Sequence, residues 1–124
     1  MIRGIGIDIE DVSRIKDMIR RYENKFLERI FTENEIRYCL AKGNPSMHFT
    51  ARFAAKEAFS KAIGTGWRDT FRWKDVEIDN NDLGKPSIIL HNEAREKFSS
   101  FAIHISLSHT SAYAAAFVVL EDLP

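Results

Sequence analysis

The chain has 124 residues, 44% hydrophobic and 29% charged, with no net charge at neutral pH. That is one domain's worth, residues 1–124, and the balance excludes disorder, a fibrous repeat and the strong basic excess of a dedicated nucleic-acid binder. No apolar run approaches the ~20 residues of a membrane span, acid at Asp8 comes too early for a signal peptide, and one cysteine, Cys39, leaves no disulfide framework or cysteine-rich zinc site, so a soluble protein of the reducing cytoplasm is expected.

Residues 2–9 read as an opening strand, with Ile5, Ile7 and Ile9 alternating with Gly4, Gly6 and Asp8. The two glycines let another backbone come close. Residues 12–30 read as one amphipathic helix whose apolar stripe is Val12, Ile15, Ile19, Tyr22, Phe26 and Ile30, with Asp11 or Ser13 as its cap. Thr32 and Glu35 match a capping box for a short helix ending near Leu40. Gly43, Asn44 and Pro45 break the chain, and Ser46 is a candidate cap for a longer helix ending at Gly64. Alanines at 51, 54, 55, 58 and 62 suit that helix to close packing at the centre of the fold. Residues 64–74 read as a loop whose aromatics fold back onto the core. Strands at 75–79 and 86–91 flank a turn-rich connection, and a short helix runs from Asn92 to Ser99. A last pair of strands, 102–108 and 112–120, brackets His109, Thr110 and Ser111; the final strand is apolar enough to be covered on both faces. The order predicts an α+β domain.

Three groups of residues are suited to chemistry. Asp8 ends an apolar strand on the glycine side, where a cleft is possible, although a helix-capping acid would look the same. On the long helix Phe53, Glu57, Lys61 and Gly64 share one side, with Arg52, Lys56 and Ser60 beside them. An ordinary solvated Glu–Lys pair contributes only ~0.2–0.5 kcal/mol, but an alanine-rich helix has little exposed perimeter, so its charges line a cleft or an interface. Asp8 and Glu57 together suit Mg²⁺, which takes one or two carboxylates and fills its shell with water and phosphate oxygens. Lys61 is one turn away and able to offset phosphate charge. Ser106, Ser108, His109, Thr110 and Ser111 form either a phosphate-holding turn or a plain polar one. His48, His91 and His104 read as structural or surface residues. Finally Arg14, Met18, Arg21 and Lys25 recur at helical spacing as a basic face apt for an acidic partner helix. Residues 1–62 carry 12 basic against 9 acidic side chains, and residues 63–124 carry 6 against 9.

The segments GIGIDIEDVSRI at 4–15, RFAAKEAFSKAIGTG at 52–66, GKP at 84–86 and ISLSHTSAYAAAFVV at 105–119 together resemble the holo-acyl-carrier-protein synthase family, the small phosphopantetheinyl transferases. The resemblance spans nearly the whole chain. It implies an antiparallel sheet packed with a long central helix, in homotrimers with active sites between subunits. It implies Mg²⁺-dependent transfer of 4′-phosphopantetheine from coenzyme A to a serine of apo-acyl carrier protein, leaving adenosine 3′,5′-bisphosphate, as in fatty acid biosynthesis. Asp8 and Glu57 would hold the metal, and Lys61 would offset charge on the transferred group. Arg52, Ser60, Lys61, Gly64, Pro86, His109 and Thr110 fall where the family contacts coenzyme A. Arg14, Met18, Arg21, Lys25 and Phe26 fall on its carrier-docking helix. Proton removal from the carrier serine falls to Glu57 or to a metal-bound water. The residues alone also allow a Mg²⁺-dependent nucleotide phosphohydrolase, or a non-catalytic module binding an acidic protein.

Overall fold

The computed structural model describes residues 1–66 and 71–124. Along the chain run β1 (Ile2–Asp11), α1 (Val12–Tyr22), α2 (Asn24–Ile30), α3 (Glu33–Leu40), α4 (Pro45–Ile63), a 3-10 turn (Trp73–Asp75), β2 (Val76–Asn80), β3 (Pro86–Leu90), α5 (Asn92–Phe98), β4 (Phe101–His109) and β5 (Tyr113–Asp122). The sheet is antiparallel in the order β1–β5–β4, and β2 and β3 form a separate antiparallel hairpin.

Helix α4 lies directly on β1 and β5. A Cβ added at Gly6 would run into the carbonyl oxygen of Ala58, and one at Gly4 into that of Ala62. The facing residues are equally small: Ala54, Ala58 and Ala62 on the helix and Ala114 and Ala116 on β5 are all buried. Gly64, with φ 84°, closes the helix in the left-handed conformation that glycine adopts without strain. On the sheet side Phe59, Phe71 and Phe98 meet edge-to-face with centroids 5.6–6.2 Å apart. On the other side α1–α3 pack a second cluster that includes Ile15, Phe26, Phe31 and Phe49.

A buried ion pair ties these layers together. Lys56 Nζ donates to Glu35 Oε1 at 2.8 Å, to Trp73 O at 3.0 Å and to Val76 O at 2.7 Å, while Glu35 Oε2 accepts from Ile78 N at 3.0 Å. Burial pulls the Lys56 pKa below the usual lysine range, and the Glu35 carboxylate pulls it back. All three ammonium donors are used, which allows a charge to sit in the core. Glu35 also completes the capping box with Thr32 at the start of α3.

Several details differ from the sequence reading. The helix expected over 12–30 is two helices, because Glu23 takes φ 49° and ψ −127° between α1 and α2; Lys25 therefore leaves the Arg14–Met18–Arg21 stripe, and Tyr22 is exposed. Asn44 caps α4 in place of Ser46, accepting from Met47 N. Asp11 occupies the cap position of α1 but takes no backbone N–H of the helix; its Oδ1 accepts from Ser13 Oγ at 3.2 Å. The last strand is covered on one face only, with Tyr113 50% and Phe117 40% exposed on the other. That open face continues through Ile5, Ile7 and Ile9, since Ile7 pairs with Phe117 and Ile5 with Val119. Of the loop expected at 64–74, Trp67 and Arg68 lie outside the described residues; Phe71 is buried and Trp73 stacks on Phe53 at 5.2 Å, as expected of aromatics turned onto the core.

Two stability outcomes follow from this packing. Gly6→Ala is expected to lose roughly 3 kcal/mol or fail to fold, whereas Gly43→Ala, whose Cβ would meet nothing, stays within about 1 kcal/mol. Lys56→Met leaves Glu35 buried and uncompensated, at an expected cost of about 3–5 kcal/mol. Urea unfolding of the variants measures both.

Candidate active site

Asp8 projects from β1 toward the C-terminal half of α4. Because β1 alternates, Asp8 shares the inward face with Gly4 and Gly6 and is 8% exposed. Its Oδ1 accepts from Lys61 Nζ at 3.1 Å, and the same ammonium donates to Ile7 O at 3.0 Å. Its Oδ2 is buried with no donor directed at it. Glu57, one turn before Lys61 on α4, is half-buried. Glu10, the next residue on the inward face of β1, lies within hydrogen-bonding reach of Asp8. Burial first, then that hydrogen bond and the Asp8 charge, push the Glu10 carboxyl up to about 7; Glu57 adds to the rise and Arg14 opposes it.

A buried carboxylate oxygen with no donor is an acceptor suited to a hard cation. Among the described residues no three His, Cys, Asp or Glu side chains form a metal-holding group. Asp8 and Glu57 are carboxylates of the kind Mg²⁺ takes, one or two at a time, while completing its shell with water and substrate oxygens. The lysine beside them suits a phosphate-bearing substrate.

Of the residues expected to contact the nucleotide, Arg52 lies in the other half of α4 and His109 beside it through His48, whereas Ser60 and Gly64 stay at the C-terminal end. Arg52 is 2% exposed; its Nη2 donates to Asn80 Oδ1 at 2.6 Å and its guanidinium lies over the Tyr38 ring at 4.1 Å, while Nε is buried without an acceptor. Asn80 pairs with Pro86 across the β2–β3 hairpin, so Arg52 and Pro86 share Asn80 as a neighbour. Tyr38 contacts His48, and His48 contacts His109 at the end of β4, with ring centroids 6.0 and 5.9 Å apart. Burial, and then the neighbouring His109, lower the His48 pKa. Thr110 Oγ1 is held in its turn, accepting from Ala112 N and Tyr113 N at 3.1 and 3.0 Å. Ser60 Oγ donates back to Glu57 O at 2.7 Å, and Gly64 is exposed. Arg52 and Lys61 are about 14 Å apart along the helix axis, so these residues form two stations on one rigid element.

The α1 stripe is exposed at Arg14 and Arg21 and half-buried at Met18. Its arginines are held by the chain's own acids: Arg14 by Glu10 at 2.7 Å, and Arg21 by Asp17 at 3.1 Å, whose other oxygen holds the neighbouring Arg20 at 2.6 Å. Lys25 is exposed on α2. Phe26, expected on the docking surface, is only 9% exposed and packs against Phe31 and Phe53, so it belongs to the core beneath the helices.

An open cavity of about 580 Å³ lies elsewhere, lined by residues that include Thr32, Glu77, His91 and Arg95. Among its polar groups His91 is paired with Glu77 at 2.7 Å, and Asn92 with Asp75 at 2.9 Å. The Asp8 cluster has no part in it. Sequence reasoning misses Tyr38, His48 and Asn80, which have no motif of their own, and leaves Glu10 as a mere neighbour of Asp8, although strand alternation places the two on one face.

A model of the 4′-phosphopantetheinyl transferase superfamily matches residues 4–118. The chain is 47% identical to a holo-[acyl-carrier-protein] synthase of Koribacter versatilis (strain Ellin345), over 98% of this chain and 100% of that protein. Its fold is similar to the crystal structure of a holo-(acyl-carrier-protein) synthase from Bacillus anthracis str. Ames in complex with CoA (3′,5′-ADP), with TM-score 0.84 and 41% identity over 99% of both chains. The Helicobacter pylori holo-[acyl-carrier-protein] synthase in complex with coenzyme A gives TM-score 0.84 and 35% identity over 94% of this chain and 99% of that one. With its glycine-backed aspartate, its paired lysine and a match along nearly its whole length, the chain belongs to the 4′-phosphopantetheinyl transferase superfamily.

Proposed function

We infer that the chain transfers 4′-phosphopantetheine from coenzyme A to a serine of an apo-acyl carrier protein, giving the holo-carrier and adenosine 3′,5′-bisphosphate. The observation that carries this is the Asp8–Lys61 pair with an unpartnered Asp8 Oδ2, seated beside Glu57 in a chain that matches holo-acyl-carrier-protein synthases end to end. Such a site needs no nucleophile of its own, because the attacking hydroxyl belongs to the partner.

Asp8 and Glu57 would hold Mg²⁺, which when bound offsets charge on the pyrophosphate of coenzyme A. Lys61 also serves the substrate. Its ammonium, held by Asp8 and the Ile7 carbonyl in the free chain, swings to oxygens of the transferred phosphoryl group as these arrive. Glu57 is the chain's own acceptor for the serine proton. Arg52 offers its unpartnered Nε to a phosphate of coenzyme A. Ser60, Gly64, Pro86, His109 and Thr110 border the nucleotide, with Gly64 leaving backbone room and Thr110 a preformed turn. Arg14, Met18, Arg21 and Lys25 meet the acidic carrier. The apolar strip of Ile5, Ile7, Ile9 and Phe117 supports assembly as a homotrimer, which would bring the two stations of neighbouring subunits together. We place this activity in the cytoplasm.

Intact-mass measurement of an apo-carrier incubated with the protein, coenzyme A and Mg²⁺ tests the reading. A gain of one phosphopantetheine, lost on chelation and lost with Glu57→Gln, is expected. Consumption of coenzyme A with no mass gain would point to a phosphohydrolase, and binding without turnover to a docking module. Charge reversal by Arg21→Glu is expected to raise KM for the carrier roughly tenfold while leaving KM for coenzyme A unchanged. Equal carrier kinetics at moderate salt would remove the docking assignment.

A further inference from the structure

Arg52 and His109 stand on different elements and are joined by a row of rings. The Arg52 guanidinium lies over the Tyr38 ring at 4.1 Å. The Tyr38 and His48 rings then meet edge-to-face at 6.0 Å and 77°, and the His48 and His109 rings at 5.9 Å and 62°. His48 and Arg52 are four residues apart on α4, so they share one face of that helix. His48 is half-buried, whereas His109 is exposed at the end of β4. The groups that bear on His48 are Tyr38 from α3, Lys42 just past α3, Arg52 from α4 and His109 from β4. The charged ones among them are all basic. Together with burial they lower the His48 pKa, so the middle ring of the row is uncharged at neutral pH.

We propose that His48 is a positioning residue for the coenzyme A donor, whose ring holds the His109 imidazole in place without itself touching the nucleotide. This rests on the reading of Arg52 and His109 as nucleotide contacts. An exposed side chain at a strand end has rotamers to lose when a ligand orders it, and that loss weakens binding. An edge-to-face neighbour removes those rotamers before the ligand arrives. Through Tyr38 the same row reaches Arg52, whose Nε is buried without an acceptor. Two donors to one anion are then held at a preset separation although they belong to a helix and a strand. A ring suits the middle of the row better than a cation, which would compete with His109 for the phosphate instead of holding it.

Calorimetric titration of the full chain with coenzyme A, Mg²⁺ present, tests this. His48→Ala is expected to weaken binding roughly fivefold. KM for coenzyme A should rise by the same factor, while kcat and KM for the carrier stay within about twofold. His48→Phe, which keeps a ring and loses both nitrogens, is expected to bind within about twofold of the parent chain. In a His109→Ala background His48→Ala is expected to cost less than about twofold more, because the residue it positions is gone. Unchanged affinity in His48→Ala, or equal losses in both backgrounds, would overturn the proposal. So would a His48→Phe chain as weak as His48→Ala, since the imidazole would then be meeting the nucleotide directly. A parent chain that takes up no coenzyme A, or a His109→Ala chain that binds it undiminished, would overturn the donor reading itself and the proposal with it. Thermal melts confirm that folded proteins are compared; should His48→Ala fail to fold, His48→Leu, which keeps bulk without a ring, takes its place.

Discussion

The backbone of α4 rests on the backbone of β1, and the rest of the molecule is arranged to permit it. Gly4 and Gly6 carry no Cβ because the carbonyls of Ala62 and Ala58 occupy that space. Once the helix sits that close, its inner line is alanine at 54, 58 and 62, and Ala114 and Ala116 on β5 leave it room. The usual polarity of an exposed edge strand is thereby reversed. The isoleucines that would normally fill a core point outward, and the face bearing glycine and aspartate points inward. A carboxylate on that inward face is brought to the helix at short range, which is why Asp8 can reach Lys61 without a long side chain of its own.

Close packing also explains the cost accepted elsewhere. A helix that buries alanine gains less from apolar transfer than one that buries leucine, since each buried methylene contributes about 0.8 kcal/mol. The remainder of the fold compensates through aromatic clusters on both sides of α4 and through the Glu35–Lys56 pair. That pair is weak evidence for net stability, because desolvating two charges offsets most of their attraction. Its geometric effect is plain: one ammonium joins α3, α4, the 3-10 turn and β2, fixing the rotation of α4 about its axis. With Lys56 pointing inward, the neighbouring Glu57 and the turn-related Lys61 must emerge at the β1 edge.

Much of this is legible in the sequence. The capping box at Thr32 and Glu35, the alanine run and the glycine at position 64 are local signals, and the elements they mark are present. The pairing of Asp8 with Lys61 is legible only as chemistry, since nothing in residue spacing measures the distance from a strand to a helix. What fails to read is set by tertiary context. The stripe over 12–30 continues in phase through Glu23, so periodicity alone gives no reason to break the helix there. The final strand is apolar on both faces, yet the single chain covers one. Asn80 and Tyr38 matter through what Arg52 does with them, and Arg52 is placed by the fold.

The distribution of satisfied and unsatisfied polar atoms separates structure from chemistry. Lys56 and Glu35 are buried and fully bonded, as buried charges that serve the fold must be. Asp8 Oδ2 and Arg52 Nε are buried and have no partner, and each would cost on the order of 1–3 kcal/mol if it stayed so. One is an acceptor on a negative group and the other a donor on a positive group, held at opposite ends of the working length of α4. The first asks for a cation and the second for an anion, and the metal-bearing phosphate donor proposed for this site would meet both demands once neighbouring subunits bring the two stations together.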